Sequence, residues 1–385
     1  MHKYNTHVCI VSDQPIPNYI PVLDKDFRPK EVILLATEKM QQNGKAEALA
    51  KTMKECCGAK IHTIAIAGEY DMQEIEDKVL TQLLERGEDK EHIALNLTGG
   101  TKLMAIAAYT TFRDAGYPTF YFTATSNEVL LLDKNERITL QPAQIRLEDY
   151  LQLHGYPVSS ANNIARSVPP GRQKIGETLA IAPERFADAL TVLNGDISAA
   201  IETNPNTLDI LLRKPTVKNL DALLNLFARE NLLTRSGNHI RFSDKDARTY
   251  INGGWLEEYV FSEIKKIAGI QDIALNVEIQ NAQKGITQKN ELDIAFLHHN
   301  ALYVLECKTK NYNNKSEGQA QNELYKLETL KKLGGLRTQT AFVSYRELKP
   351  HVRDRAKGAD IKILENKALA GLRKTIENWI TAKNR

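Results

Sequence analysis

The chain is poor in cysteine: it has four in 385 residues (Cys9, Cys56, Cys57 and Cys307), and none of them form a C-x-x-C pair. That excludes a disulfide framework, shows no zinc site and predicts reduced, structural thiols. Long apolar runs are lacking too. Nothing approaches the roughly 18 consecutive apolar residues of a membrane span, and the N-terminal MHKYNTHVCIVSD holds a short strand where a secretory signal would hold its hydrophobic region. A cytoplasmic location with no membrane partner is the expectation.

What is present is the composition of a soluble globular protein, 42% hydrophobic and 26% charged. The length is too great for one ordinary core, so two or three domains are expected. The net charge of +3 is uneven. From Ile251 to Arg385 there are 22 basic and 16 acidic residues, a surplus of six, while the first 250 residues carry 29 against 32. A modestly basic C-terminal third suits a phosphate-rich partner.

Along the first 145 residues, strand-like runs rich in β-branched residues (6–12, 31–37, 60–67, 92–98 and 118–124) alternate with helical segments at 44–57, 71–86 and 101–115. This predicts a mostly parallel sheet covered by helices on both faces, with residues 128–140 as a hairpin at its edge. In such a sheet, ligands bind beyond the carboxyl ends of the strands where strand order reverses. For an order 3-2-1-4-5, the loops there are Ser12-Asp13-Gln14-Pro15-Ile16-Pro17-Asn18 and Thr98-Gly99-Gly100-Thr101-Lys102. The second leads straight into a helix and is neither a Walker A loop nor a G-x-G-x-x-G turn. Two readings of it stand: a tight strand-to-helix turn, or an anion site made of backbone N–H groups, a helix N-terminus and Lys102.

Residues 146–250 change to a helical pattern (184–194, 207–212, 218–231), interrupted by the Pro- and Gly-bearing stretch 167–176. The segment around LDALLNLFARENLLTRSGNHIRFSD reads as a helix followed by a two-strand wing, resembling a winged helix. No strongly basic recognition helix stands out, which favours a spacer over a DNA reader. From residue 251 the predicted order is a helix over WLEEYVFSEIKKIAG, a strand at 274–280, a hairpin at 291–310, a helix at 316–334, a strand at 340–345 and a closing helix at 367–382.

The hairpin ELDIAFLHHNALYVLECKTK carries the chemistry. With period two, Asp293 lies on the face opposite Leu292, Ile294 and Phe296, and Glu306 and Lys308 share a face on the return strand. A two-residue turn at His299-Asn300 sets Asp293 opposite Glu306. Two carboxylates and an ammonium in a half-buried sheet are costly unless something uses them, and a divalent metal is the usual user. An E-x-K alone would more often be a solvated cross-strand pair.

The helix–strand–Asp293–Glu306-x-Lys308–helix–strand order resembles the PD-(D/E)xK nuclease superfamily, with Leu292-Asp293 as a PD element without its proline. Gln321-x-x-x-Tyr325 matches the Q-x-x-x-Y signature of its RecB-like branch, and Glu257-x-x-Val260 its helix motif. The resemblance implies a restriction-endonuclease-like α/β/α domain with Mn2+ or Mg2+ held by Asp293, Glu306 and the Cys307 carbonyl. Glu257 would assist as a metal ligand or by orienting water, with Glu258 as its alternative. Lys308 would position water and stabilise the transition state; Gln321 and Tyr325 would contact the phosphate or hold Lys308.

At the other end, Ser12 to Asn18 together with N-x-T-G-G-T-K-x-M (Asn96 to Met104) resemble the Rossmann-like CARF domain of CRISPR-associated proteins, which binds cyclic oligoadenylates. The implied ligand residues are Ser12, Asp13, Gln14, Asn18, Thr98, Gly99, Gly100, Thr101 and Lys102. The whole chain thus resembles the CARF nucleases of type III CRISPR defence, with a sensor at 1–145, a linker domain at 146–250 and a nuclease at 251–385. That implies a homodimer whose nuclease is switched on by a cyclic oligoadenylate, cyclic tetra-adenylate first, against a nucleic acid substrate. The rival readings are a ligand-responsive DNA-binding regulator with a non-catalytic nuclease fold, and a constitutive repair or restriction nuclease.

Overall fold

The structure is a computed structural model and describes residues 4–86, 92–161, 167–281, 289–311 and 317–383. Its contacts divide into two units. The first holds Met1–Ser160 with Glu278–Asn290 and Leu333–Leu336, and the second holds Ala161–Val277, Glu291–Lys332 and Arg337–Arg385.

The first unit contains β1 (Thr6–Ile10), α1 (Ile16–Leu23), β2 (Glu31–Thr37), α2 (Glu38–Gln42), α3 (Lys45–Cys57), β3 (Lys60–Ile66) and α4 (Met72–Arg86). It continues with β4 (Ile93–Asn96), α5 (Lys102–Asp114), β5 (Thr119–Thr123), β6 (Glu128–Leu131), β7 (Glu136–Thr139), α6 (Leu147–Leu153) and β8 (Val158–Ala161). The sheet order is β3-β2-β1-β4-β5-β6-β7, parallel through β5 and antiparallel over the last two strands. The alternation of elements therefore yields the expected doubly wound sheet, and β1 and β4 are neighbours at the switch point. One face packs Val8, Ile10, Ile33 and Leu95 against Met104, Ala107 and Phe112 of α5. The other packs His7, Phe27 and Phe120 with ring centroids about 5 Å apart, the two phenyl rings edge-on and His7 tilted against both. Among the described residues His7 is buried with no charge partner, and burial holds its pKa down to about 3, so it is a neutral core ring.

One expectation fails here. The polar reading of residues 12–18 hides α1, which starts on Ile16 with proline in its first turn, where a missing N–H costs nothing. The prolines marked a helix start, not a loop.

The second unit begins with α7 (Pro170–Ile181), α8 (Pro183–Thr203), β9 (Asp209–Leu211), α9 (Leu220–Arg229), β10 (Leu233–Ser236), β11 (His239–Phe242) and α10 (Lys245–Thr249). A π-helical turn at Tyr250–Gly254 leads into α11 (Trp255–Lys265), β12 (Ile270–Gln280), β13 (Lys289–His298) and β14 (Ala301–Lys308). Then follow α12 (Glu317–Leu333), β15 (Gln339–Ser344), α13 (Pro350–Gly358), β16 (Ile361–Glu365), a 3-10 turn at Asn366–Gly371 and α14 (Leu372–Lys383). Strands β16, β15, β14, β13 and β12 lie side by side in that order, with β14, β15 and β16 parallel and β13–β14 the antiparallel hairpin.

Two local readings of the middle segment are corrected. Residues 167–176 do not break the helical pattern; Pro170 opens α7, and Gly176 inside it lets Tyr259 of α11 approach, where an added Cβ would sit 2.9 Å from the Tyr259 Cβ. Within residues 207–212, Asp209–Leu211 form β9 in place of helix, pairing with the wing strand β11. A three-residue strand is too short to show a period. The wing itself forms as expected, with Gly237 at φ +60° in its turn. Residues of this segment such as Leu193, Leu224 and Phe227 share one hydrophobic cluster with Trp255, Leu305 and Trp379. Trp255 is fully buried and meets Tyr345 edge-on at 4.9 Å; truncating such a residue costs about 3–5 kcal/mol.

Candidate functional site

The hairpin sets the geometry. His299 and Asn300 both have positive φ (48° and 54°), as a type I′ turn requires. The register from His298↔Ala301 to Ile294↔Leu305, continued by one residue, places Asp293 across from Glu306. Both carboxylates are buried, at 7% and 1% exposure. Asp293 Oδ2 accepts from the Cys307 backbone N–H at 2.8 Å and meets Lys308 Nζ at 3.2 Å. The same Nζ lies 2.5 Å from Glu306 Oε1. Glu306 Oε2 accepts from Lys326 Nζ at 2.8 Å, a cation delivered by α12.

Each charge state follows from that arrangement. Burial pushes Glu306 up, but the Lys308 and Lys326 ammoniums outweigh it and hold the carboxyl below its ordinary range. Burial and the Glu306 charge push Asp293 up. Burial would lower Lys308, yet Asp293 and Glu306 raise it above its usual value, so it is a cation here and not a base. Glu257 on α11 is pushed up to about 8 by burial and by Asp293. Glu323, one turn before Lys326, is raised by burial, with Glu306 beside it.

Beside this cluster lies a cleft of about 550 Å3, lined by Glu257, Cys307, Lys308 and Thr309 with Asn194 and Ser198 of α8. Its back wall is the π-helical turn. Gly253 sits there at φ +132°, with Thr309 Oγ1 3.1 Å from where a Cβ would stand, so only glycine fits the backbone. The Asn194 amide bonds Thr309 Oγ1 at 3.2 Å. Glu258, one residue from Glu257, is absent from this cleft lining: it is buried against Arg172 Nη1 at 3.0 Å, and Arg172 also binds Asp246.

The oxygen donors Glu257, Asp293 and Glu306 suit a hard divalent cation, and the raised Glu257 and Asp293 are the response of crowded carboxyl groups that such a cation would relieve. Among the described residues, no three acidic, histidine or cysteine side chains form a ready-made cage. The two hairpin carboxylates close on Lys308 and Lys326 instead.

At the other end, the switch-point loops are built mainly of backbone. Asn18 is fully buried and its Nδ2 donates to the Ile10 carbonyl at 2.8 Å, so it holds the end of β1 and does not reach outward. Asn96 Oδ1 accepts from Thr98 N (3.0 Å) and Thr98 Oγ1 (2.7 Å), and Thr98 Oγ1 in turn accepts from Phe122 N at 2.7 Å. A Cβ on Gly99 would stand 2.2 Å from the Ile10 carbonyl oxygen; one on Gly100, at φ +81°, would stand 2.4 Å from Ile10 Cγ2. Thr101 caps α5, accepting from Met104 N, and Lys102 is exposed. In the first loop, Ser12 Oγ and the Gln14 backbone form a small turn (3.3 Å), Asp13 is exposed, and Gln14 Oε1 accepts from Leu336 N at 3.3 Å.

Comparison with known proteins agrees with both halves. A family model described as the Card1 CARF domain matches residues 6–150, and one described as the Card1-like endonuclease domain matches residues 244–383. The chain belongs to the CARF-domain nucleases. Its fold is also that of the Vibrio cholerae protein VC1899 (TM-score 0.83, 24% identity, 98% of each chain covered). Can2 from Sulfobacillus thermosulfidooxidans, solved in complex with cyclic tetra-adenylate, is similar over 98% of this chain and 99% of that one, at TM-score 0.77 and 25% identity. A type III CRISPR defence DNA nuclease activated by cyclic oligoadenylate shares the fold at TM-score 0.56 and 20% identity, over 90% of this chain and 46% of that one. No curated protein matches the chain.

Within this CARF nuclease, the structure brings Asp293, Glu306 and Lys308 together and lines the adjoining cleft with Glu257, Cys307 and Lys308. It treats the Q-x-x-x-Y helix differently from the expectation. Gln321 is half-buried, and the Tyr325 ring lies under the Arg355 guanidinium at 3.8 Å. Among the described side chains of α12, Lys326 and Glu323 are the ones that meet Glu306. Their i,i+3 spacing was the available signal. Asn194 and Thr309 had none, because only packing joins α8 to the end of β14. Among the described residues, no helix is long and apolar enough to cross a membrane.

Proposed function

We propose that this chain is a metal-dependent endonuclease, switched on by a cyclic oligoadenylate, that cuts nucleic acid phosphodiester bonds in antiviral CRISPR defence in the cytoplasm. The observation that carries it is Gln14. This side chain of the sensor loop is hydrogen-bonded to Leu336, three residues beyond α12, and α12 carries Lys326 onto Glu306. Gly335 makes the contact possible: at φ +85°, its missing Cβ would stand 2.8 Å from His154 Nε2 and 3.0 Å from Gln14 Oε1. The Tyr150 hydroxyl donates to the Gly334 carbonyl at 2.8 Å and fixes the same stretch. A ligand that prefers one arrangement of the Gln14 loop thereby prefers one position of the end of α12, which is the differential affinity a switch requires.

Cyclic tetra-adenylate is the first candidate, the ring bound by the relative Can2. The backbone at Gly99, Gly100 and Thr101, with Lys102, would receive its phosphates. A two-fold ring is best read by two copies of the chain. The exposed Leu103 and Ile106, beside Lys102, supply an apolar stripe for that homodimer.

In the nuclease, Asp293, Glu306 and Glu257 with the Cys307 carbonyl would hold Mn2+ or Mg2+, which when bound supplies an acidic water and charge stabilisation. The chain's own residues do the rest. Lys308, held cationic, positions the attacking water and stabilises charge on the phosphate. Lys326 keeps Glu306 ionised. Asn194 and Thr309 shape the cleft that admits the scissile group. The test offers labelled single-stranded DNA, duplex DNA and RNA to the full chain with Mn2+, with and without cyclic tetra-adenylate. Cleavage should depend on both additions, and Gly335→Ala should keep ligand binding but lose most of the stimulation. Equal rates with and without the ligand would sink the switch.

A further inference from the structure

Beside the face of α12 that sends Lys326 to Glu306 lies a solvent face carrying Asn322, Tyr325, Thr329 and Lys332 at spacings of three and four residues. Tyr325 is 50% exposed, and the Arg355 guanidinium of α13 lies 3.8 Å above its ring. Arg355 Nη2 donates to Glu328 Oε1 at 3.0 Å, while its buried Nε has no hydrogen-bond partner among the described residues. Next to this pair is an open cleft of about 560 Å3, lined by Glu328, Lys331, Lys332, Arg355, Gly358 and Ala359. Lys331 and Lys383 share the single carboxylate of Asp360. Among the described residues, four cations around the cleft thus face two carboxylates, a surplus of two positive charges.

A flat aromatic–guanidinium pair beside unbalanced lysines fits an ionic ligand with π faces. An acidic peptide would use the cations and leave the ring idle. We propose that this α12–α13 face is the track for the flank of a single-stranded nucleic acid. One base continues the Tyr325–Arg355 stack, and the adjoining phosphates lie against Lys331 and Lys332. Bases of a duplex are already stacked on their neighbours and cannot use the ring, so the track selects unpaired strands. The inference rests on the nuclease reading and adds to it a surface on which the strand beside the cut would lie.

The test is binding to the full chain, by fluorescence anisotropy of a short labelled oligothymidylate, in chelator so that nothing is cut and without activator. Oligouridylate, an abasic strand and a duplex of the same length complete the set. Tyr325→Leu should weaken binding of the base-bearing strands about tenfold, leave the abasic strand and duplex unchanged, and be rescued by Tyr325→Trp. Lys332→Ala should reduce the salt slope on every single strand by about 0.7, the loss of one phosphate contact. Wild-type binding that ignores the bases, an equal loss on the abasic strand in Tyr325→Leu, or no measurable binding at all would overturn the track. Because no activator or cleavage enters the measurement, a failure of cyclic oligoadenylate to stimulate cleavage would be a separate result.

Discussion

The two sites of this protein are made of opposite materials. In the hairpin the proposed working groups are side chains: Asp293, Glu306 and Lys308 are pressed together at the end of a buried strand pair, each perturbed by the others. In the sensor loops the side chains mostly hold the loop itself. Asn18 grips Ile10, Asn96 grips Thr98, and Thr98 grips Phe122, while Gly99 is buried and the half-buried Gly100 and exposed Lys102 lie beside the switch point. The difference follows from what each is proposed to meet. Phosphoryl chemistry needs concentrated charge at one point, whereas a ring of phosphates and riboses is met by N–H groups in a fixed frame.

That contrast can be broken from either side. The largest effect belongs to Glu306→Gln, which keeps the shape but removes the charge both lysines were arranged around. Cleavage should fall by about a thousandfold, with ligand binding at the sensor unchanged by calorimetry. A variant that still cuts would move the chemistry elsewhere.

Gly99→Ala is the counterpart at the sensor. Its Cβ has no room against the Ile10 carbonyl, so the loop must shift. Stability should drop by about 1–3 kcal/mol in urea titration and binding of cyclic tetra-adenylate should be lost, while the hairpin is untouched. Normal binding would mean that the loop is only a tight turn.

The smallest effect sharpens the electrostatic side. In the folded chain, burial and the Asp293 charge push Glu257 up to about 8 from an ordinary 4.5. Between those values the folded state binds more protons than the unfolded one, so stability declines as pH rises from about 4.5 to about 8. Glu257→Gln should flatten that decline in metal-free thermal melts and raise Tm at pH 8 relative to wild type. Parallel curves would remove Glu257 from the carboxylate group.

Much of this was written in short-range pattern. Alternating residues and the His299-Asn300 turn are local chemistry, and they were enough to set Asp293 opposite Glu306. The regular strand–helix alternation likewise foretold a mostly parallel first sheet with a hairpin at its edge. Glycines at the switch point announced a close approach, although not that Ile10 was the neighbour.

What tertiary structure decided are the pairings between distant segments. Arg172, far upstream in α7, takes Glu258 and leaves Glu257 to the cleft. The helical middle segment, read as a spacer, supplies a wall of that cleft through Asn194. The Q-x-x-x-Y helix turned so that Lys326 reaches Glu306 while Tyr325 meets Arg355. Gln14 found Leu336 across more than three hundred residues of chain. Periodicity and turn preference act over a few residues and are printed in the order of the amino acids. Which face of a helix meets which distant strand is settled only when the whole core packs.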